Sequence, residues 1–340
     1  MKNLIECIPN FSEGQDPKVI KALAHAIQSV EGVYLLHQDT GFAAHRTVFT
    51  FAGEANAVIE AAYRAIKLAH EQINMRKHQG EHPRIGACDV CPFVPISGIS
   101  QAELIPLVNQ LAARLHQDFK MPIFFYEENA SSIFRRNLAR HRIGNYEALE
   151  KRMNSQEWPA DLGKQFHPTF GGLVMGVRNF LVAYNINLNT QDAKLAQEIA
   201  YDLRELGRPL EVVKGKKTFK AGELKYVKAI GWYIKDFERA QVSINLTNYQ
   251  KTPLHQVFES CKKIAARYDL SVTGSELIGL IPKEALITAG KYFNERANAT
   301  EKELIESAVE ALGLSEFKPF EVRKRVLEYV LEDQLNERTK

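Results

Sequence analysis

The sequence predicts an α/β (α+β) fold of two similar β-α-β-β-α-β subdomains of ferredoxin-like type, each a mixed sheet covered by helices, with further helices at the C-terminal end. Three observations predict it. Segments of alternating and of helical apolar period follow one another in the order β-α-β-β-α-β, and that order returns in the second half of the chain. The 340 residues are too many for one ordinary core and enough for two. The 45% apolar and 25% charged content is that of a globular protein.

In the first half, Asn3 to Ile8 alternates like a strand, and Pro17 to Val30 carries apolar residues at helical spacing. Val33 to His37 reads as a short strand ending in the turn-rich Asp39 to Gly41, and Arg46 to Ala52 as a strand of β-branched and aromatic residues. Ala55 to Ile73 is a long amphipathic helix, and Cys88 to Ile96 a strand. An added helix, Gln101 to Gln117, and strand, Pro122 to Tyr126, follow. Pro, Gly and Asn then punctuate the chain from about Gly144 to Gly172.

The second half repeats the order. Asn179 to Leu188 is a strand, Ala193 to Leu206 a helix, Lys225 to Ile234 and Ala240 to Leu246 two strands. Pro253 to Tyr268 is a helix and Ser271 to Ile281 ends in a strand. The expected domains are therefore residues 1–178 and 179–335. Lys283 to Phe293, Glu301 to Leu314 and Phe320 to Leu335 read as helices, and the basic Lys214 to Lys220 as a loop.

The formal charge of +3, from 44 basic and 41 acidic residues, is too weak a bias to point to nucleic acid. The chain has no apolar run of about 18 residues, so no membrane-spanning helix is expected. The opening MKNLIECIPNFSEG lacks the apolar core of an export signal, which gives the cytoplasm as the expected compartment. Cys7, Cys88, Cys91 and Cys261 are scattered and fit reduced thiols.

The densest chemistry lies in Met75 to Pro95, where His78, Glu81, His82, Arg84 and Asp89 stand with Gly80 and Gly86 just before a strand. His78 to His82 fits the H-x-x-E-H pattern of inverted zinc proteases. That chemistry needs both imidazoles on one helical face. Gly80 costs about 1 kcal/mol inside a helix, and Pro83 drives His82 into extended backbone. The two rings are expected to diverge, leaving no metal site. On spacing alone His82 is either a working imidazole or a loop histidine held by its neighbours. Cys88 and Cys91, three apart on a strand, are expected on opposite faces with one buried. His25, His70 and His116 read as surface or helix-end residues, His37 and His45 are open, and His167 beside Pro168 carries more weight.

Glu6 to Gly14 (ECIPNFSEG), His45 to Glu54 (HRTVFTFAGE) and His78 to Pro95 (HQGEHPRIGACDVCPFVP) resemble the formiminotransferase domain of the bifunctional formiminotransferase–cyclodeaminase. Gly231 to Ile234, Ala240 to Tyr249 and Gly274 to Pro282 carry the resemblance into the second half. It spans about residues 3 to 335, departing mildly at Cys88, where the family usually has an apolar residue.

The resemblance implies two α/β subdomains with a folate tunnel between them, a homodimer, and tetrahydrofolate as co-substrate with no metal. It implies transfer of the formimino group from N-formiminoglutamate to N5 of tetrahydrofolate, a step of histidine degradation and one-carbon metabolism. His82 is then the catalytic residue. The folate segment is Gly163, Lys164, Gln165, Phe166, His167, Pro168, Thr169, Phe170, Gly171 and Gly172. Asp39 and Arg46 also match and are expected to line the substrate; from their chemistry Arg46, Arg84 and Arg178 are candidate carboxylate partners, and Glu81 or Asp39 candidates to orient the imidazole. Gly171–Gly172 would let backbone approach the pterin, and Lys214 to Lys220 would contact the carboxylates of a polyglutamylated ligand. Since the sequence ends where relatives carry a cyclodeaminase domain, a separate cyclodeaminase is the expected partner. A formyl transfer from N-formylglutamate, a non-catalytic folate-binding protein and a zinc hydrolase stand as alternatives.

Overall fold

Pro9 has no N–H to give a sheet, and it divides the first strand row into β1 (Leu4–Cys7) and β2 (Asn10–Phe11). The computed structural model describes residues 3–42, 44–80, 82–155, 158–213 and 216–338. The first of its two units ends at Arg178. It continues with α1 (Pro17–Gln28), β3 (Val33–Gly41), β4 (Arg46–Glu54), α2 (Ala55–Gln72), β5 (Cys88–Ser97), α3 (Gln101–Phe119) and β6 (Ile123–Phe125). The short α4 (Leu138–His141), α5 (Asn145–Asn154) and β7 (Leu173–Val177) complete it. Across the sheet the rows run β3, β4, β1 with β2, β5, β7, β6. The β5, β7 and β6 rows are parallel and the others antiparallel.

Helices α1, α2 and α3 cover one face. Phe11, Phe49, Phe51 and Phe93 pack there against Leu23, Ile27, Ile66 and Leu111, all in one apolar core. Local chemistry starts the helices: Asp16 caps α1 ahead of Pro17, and Ser100 with Glu103 forms a capping box on α3. On the other face a smaller cluster of Ile85, Val90, Phe124, Leu149, Met153 and Val174 seats α5. Strand alternation sends Phe49 and Phe51 to the helix side, and Arg46 to the opposite side.

The second unit begins at Asn179. It contains β8 (Val182–Leu188), α6 (Ala193–Leu203), the hairpin β9 (Arg208–Val213) and β10 (Lys216–Lys220), β11 (Val227–Ile234) and β12 (Arg239–Leu246). After these come α7 (Leu254–Ala266), β13 (Val272–Ile278), α8 (Lys283–Phe293), α9 (Glu301–Ala311), α10 (Val322–Arg325) and α11 (Leu327–Arg338). Its sheet order, β11-β12-β8-β13, is the order β3-β4-β1-β5 of the first unit. Each unit thus carries the expected β-α-β-β-α-β layer.

Four local expectations are corrected. Asp39–Gly41 is strand, because Thr40 pairs with Thr47 and Gly41 with Arg46, which moves the turn beyond residue 41. The stretch from Gly144 to Gly172 holds α5, since Gly144 and Asn145, at φ 72° and 57°, lead into a helix. Lys216–Lys220 is a strand paired with β9 and not a loop; Lys214 and Gly215 lie outside the described residues. The helix expected from Phe320 to Leu335 breaks at Val326, where a buried valine bridges Ile281 in extended backbone. Among the described residues no helix is long and apolar enough to cross a membrane.

Candidate active site

His82 lies in irregular chain between the 3-10 turn Met75–Lys77 and β5. Among the described residues His78–Gly80 and His82 none is helical, and His78 is already extended, with ψ 126°. The helical face that would pair the two imidazoles on a metal is therefore not built. Gly80 is required for another reason. A Cβ there would stand 2.5 Å from the Ala44 carbonyl oxygen, so only glycine lets the turn after β3 press against this segment.

Two groups meet the His82 ring. Nδ1 is 2.7 Å from the Pro83 carbonyl oxygen. Arg46 Nη1 lies against the ring edge, 2.6 Å from Nδ1 and 2.8 Å from Nε2. A carbonyl only accepts and a guanidinium only donates. The Pro83 carbonyl therefore assigns one neutral tautomer, with Nδ1–H donating to it and Nε2 left as the basic nitrogen, while the Arg46 guanidinium lies beside both ring nitrogens. Burial, then the positive charges of Arg46 and Arg142, push the His82 pKa down to about 4.

Asp89, 1% exposed at the start of β5, organises the cations. Its Oδ1 accepts from the Ile85 N–H at 2.9 Å. Its Oδ2 accepts from Arg142 through Nε at 3.0 Å and more closely through Nη2. Arg46 Nη1 is 3.9 Å from that same oxygen. Burial and the neighbouring Arg142 lower the Arg46 pKa to about 10.

A second layer holds the loop from below. Arg84 makes a forked ion pair with Glu147, at 2.9 and 2.7 Å, and donates from Nε to His78 Nδ1 at 3.1 Å. His78 Nε2 then donates to the His45 carbonyl at 2.9 Å. The His45 ring stacks on His78 at 4.3 Å and reaches Glu13 at 3.2 Å.

The segment 163–172 is stitched to the same loop. Thr169 O accepts from Met75 N, Phe170 O from Ala87 N, and Ile85 O from Gly172 N, at 2.7–2.9 Å. A Cβ on Gly171 would stand 2.1 Å from Ile85 O, and one on Gly86 2.1 Å from Gly172 O. These glycines serve backbone-to-backbone contact.

Residues 4–178 match the family model of the formiminotransferase domain, N-terminal subdomain, and residues 183–332 that of the formiminotransferase domain. The chain belongs to the formiminotransferase family. It is 42% identical over 86% of its length to a glutamate formimidoyltransferase of Streptococcus pyogenes serotype M1, covering 94% of that protein. It is 36% identical over 91% of its length to one of Thermoplasma acidophilum, covering 98%. A formimidoyltransferase-cyclodeaminase of Dictyostelium discoideum is 40% identical over 98% of the chain, which spans only 62% of that longer protein.

Not all of the residues that sequence pointed to in this formiminotransferase-family chain come together. Arg46 reaches His82, and Asp39, exposed on β3, acts on Arg46 across the same sheet face. Arg84 is 6% exposed and committed to Glu147 and His78, so it supports the loop instead of presenting a free guanidinium. Arg178 follows β7 at the level of Phe93, four residues along β5 from Asp89, about 13 Å at strand spacing. Glu81 lies outside the described residues. Among the described residues the Pro83 carbonyl orients the His82 ring, and Glu81, one of the two carboxylates expected to do so, lies outside them. In the folate segment Lys164, Gln165 and Pro168 are exposed, whereas Phe170, Gly171 and Gly172 are buried and face protein, not a pterin.

Sequence reasoning missed Arg142 and the role of Asp89. The run RRNLARHRIGN (Arg135 to Asn145) is conspicuously basic, but spacing does not tell which arginine turns inward. Arg135 pairs with Asp161 and Arg136 with Glu128, and Arg142 alone of these reaches Asp89. Cys88 and Cys91 are both buried on the helix side beside Cys7, because an irregularity where β2 meets β5 shifts the alternation. Among the described residues no group of three or more His, Cys, Asp or Glu side chains is placed to hold a metal ion.

Proposed function

We propose that this chain transfers the formimino group from N-formimino-L-glutamate to N5 of tetrahydrofolate, releasing L-glutamate and 5-formiminotetrahydrofolate, with His82 moving the protons. The observation that carries the reading is the His82 environment: a partly buried, neutral imidazole with Nδ1–H fixed by Pro83 and the Arg46 guanidinium beside the ring. The near full-length relatives named glutamate formimidoyltransferase support the substrate pair.

In the reaction N5 adds to the amidine carbon, forming one C–N bond and a tetrahedral centre. The glutamate nitrogen then leaves with its electron pair. One proton must come off N5 and one must reach the leaving nitrogen. His82 Nε2 takes the first and returns it as the second, so the ring ends as it began. Pro83 holds the tautomer that makes Nε2 the basic atom. The exposed side of 164–169 contributes the folate contact, and the buried Phe170–Gly172 fix its position against the His82 loop. A homodimer in the cytoplasm, handing its product to a cyclodeaminase, belongs to the same proposal and is supported by the family resemblance.

The test is direct. Purified protein is mixed with tetrahydrofolate and either N-formiminoglutamate or N-formylglutamate, and released glutamate and the folate product are followed. Rapid transfer from the formimino donor is expected. No transfer from it, or faster transfer from the formyl donor, rejects the reading.

A further inference from the structure

His167, inside the segment 163–172, is tied to a helix through its ring. His70 stands in the last turn of α2, and its Nε2 lies 3.2 Å from His167 Nε2. The rings meet edge to face with centroids 5.0 Å apart, and both are half-buried. The other nitrogen of His167 decides which ring donates. Nδ1 accepts the Phe170 N–H at 3.2 Å, so it carries no hydrogen. The neutral His167 ring therefore holds its hydrogen on Nε2 and donates it to His70 Nε2, whose own hydrogen is on Nδ1. Two ligands of one tetrahedral zinc ion would stand at a similar separation, about 3.3 Å. The Phe170 N–H rules that out here, because it leaves His167 Nε2 protonated and without a lone pair for a metal.

We propose that His70 is a positioning residue for folate binding: its hydrogen bond with His167 holds the turn at 164–169 in the shape that meets the folate, and does so only while both imidazoles are neutral. The proposal rests on the formimino-transfer reading for one point, that this segment contributes the folate contact.

The geometry of the turn supports it. The Gly171 N–H donates to the His167 carbonyl at 2.7 Å and the Phe170 N–H to the His167 ring, so the orientation of one imidazole sets the turn. The segment's neighbouring ties run through backbone carbonyls, Thr169 O from Met75 N and Pro168 O from the Tyr146 hydroxyl. His70 adds a side-chain acceptor on a helix, a stiffer mount than a loop. Its own ring is seated against Phe119 at 5.0 Å and Phe170 at 6.0 Å. A half-buried N–H that loses its acceptor is penalised by more than the bond contributes, so His167 depends on this partner.

Protonation breaks the arrangement from either side. A proton on His70 Nε2 sets two N–H groups against each other, and a proton on His167 Nδ1 removes the acceptor of the Phe170 N–H. Among the described residues, the titratable groups acting on the pair are Glu71 of α2, which favours a charged His70, and each imidazole on the other; α3 brings Phe119, and the segment brings Thr169 and Phe170. Burial comes first for both rings and lowers the pKa of each. The neutral pair is therefore complete at neutral pH and is lost as pH falls below the ordinary histidine range.

Calorimetric titration of the full chain with 5-formyltetrahydrofolate tests this at about pH 7.5 and about pH 5, either side of the ordinary histidine range. The parent is compared with His70→Gln, which offers an acceptor that does not titrate, and His70→Leu, which offers none. Hydrogen exchange of 163–172, corrected for the intrinsic rate at each pH, reads the turn without ligand. The parent should bind about threefold or more weaker at the lower pH, with matching loss of protection. His70→Gln should bind like the parent at the higher pH and keep its affinity and protection at the lower, and His70→Leu should bind about tenfold weaker at both. Acid loss in His70→Gln equal to the parent's, or parental affinity in His70→Leu, overturns the proposal. If neither variant folds, the parent decides: unchanged protection between the two pH values overturns it. The two readings fail separately. A chain that binds no folate while its protection follows His70 rejects the folate role of the segment and keeps the tie; folate binding indifferent to His70 rejects the positioning role and keeps the folate reading.

Discussion

Arg142 donates two N–H groups to one oxygen of Asp89, and the second oxygen takes the Ile85 N–H of the loop that carries His82. One carboxylate therefore fixes both a cation of the site and the backbone beside it. Asp89→Asn leaves Arg142 without its counter-charge in a mostly buried setting. The expected loss is about 3 kcal/mol of stability, read as a lower urea midpoint with unchanged slope. A variant as stable as the parent would show that the pair contributes nothing net.

His82→Asn should keep the fold, because the ring is only partly buried and its contacts lie at the loop surface. Turnover of formiminoglutamate should fall by about 10²-fold or more, with far-UV circular dichroism and thermal midpoint close to those of the parent. Turnover equal to the parent's would remove His82 from the reaction.

Gly171→Ala places a Cβ 2.1 Å from the Ile85 carbonyl oxygen at φ +79°. Strain and collision together should cost about 2–3 kcal/mol and loosen the 163–172 segment from the His82 loop. Gly32→Ala is the control. It has a similar φ of +76° and nothing within 4 Å, so only the backbone strain of about 1 kcal/mol remains. Equal thermal shifts for the two would show that the packing of Gly171 does not matter.

Acid should destabilise the protein before its carboxylates titrate. His141 is buried with both nitrogens used: Nε2–H faces the Arg135 carbonyl and Nδ1 accepts from Trp158. Burial first, then the nearby arginines Arg135 and Arg152, hold its pKa at about 4, and His82 lies equally low. The unfolded chain binds these protons near pH 6.5 while the native chain refuses them. Stability therefore falls as pH drops from about 6.5 toward about 4 and is flat above that window with respect to these groups. Urea midpoints measured across this range should show the slope, and His141→Gln should reduce it. An unchanged slope in that variant would exclude His141 as a source.

The four cysteines are buried, and Cys7 Sγ lies 3.5 Å from Cys91 Sγ. Burial pushes the Cys7 and Cys88 thiols well above their ordinary range. A thiol reagent added to native protein should label none of the four in the time it labels all four in urea. Rapid native labelling would contradict this packing.

Element order was readable because it rests on local period and capping: Asp16 with Pro17, Ser100 with Glu103, and the alternation through Phe49 and Phe51. The unhelical character of His78, Gly80 and His82 was readable for the same reason, since Gly80 and Pro83 act on their own backbone. Short-range chemistry misled where a distant partner intervened. The strand pairing of Thr40 with Thr47 overrode a turn-like Asp-Thr-Gly, and the bridge from Ile281 to Val326 broke a helix.

What the sequence by itself determined is the two-part fold, the segment that carries the chemistry and the loop imidazole at its centre. What only the tertiary structure decided is which charges face that imidazole. Asp89 and Arg142 are 53 residues apart, and Arg46 and His82 are 36 apart. No local rule relates such positions, because their meeting depends on how β4, β5 and the chain after α4 converge at one end of a sheet. The same convergence commits Arg84 to Glu147 and turns Gly171 toward Ile85, so that residues of the right type were taken by the scaffold and an unremarked arginine was left facing the site.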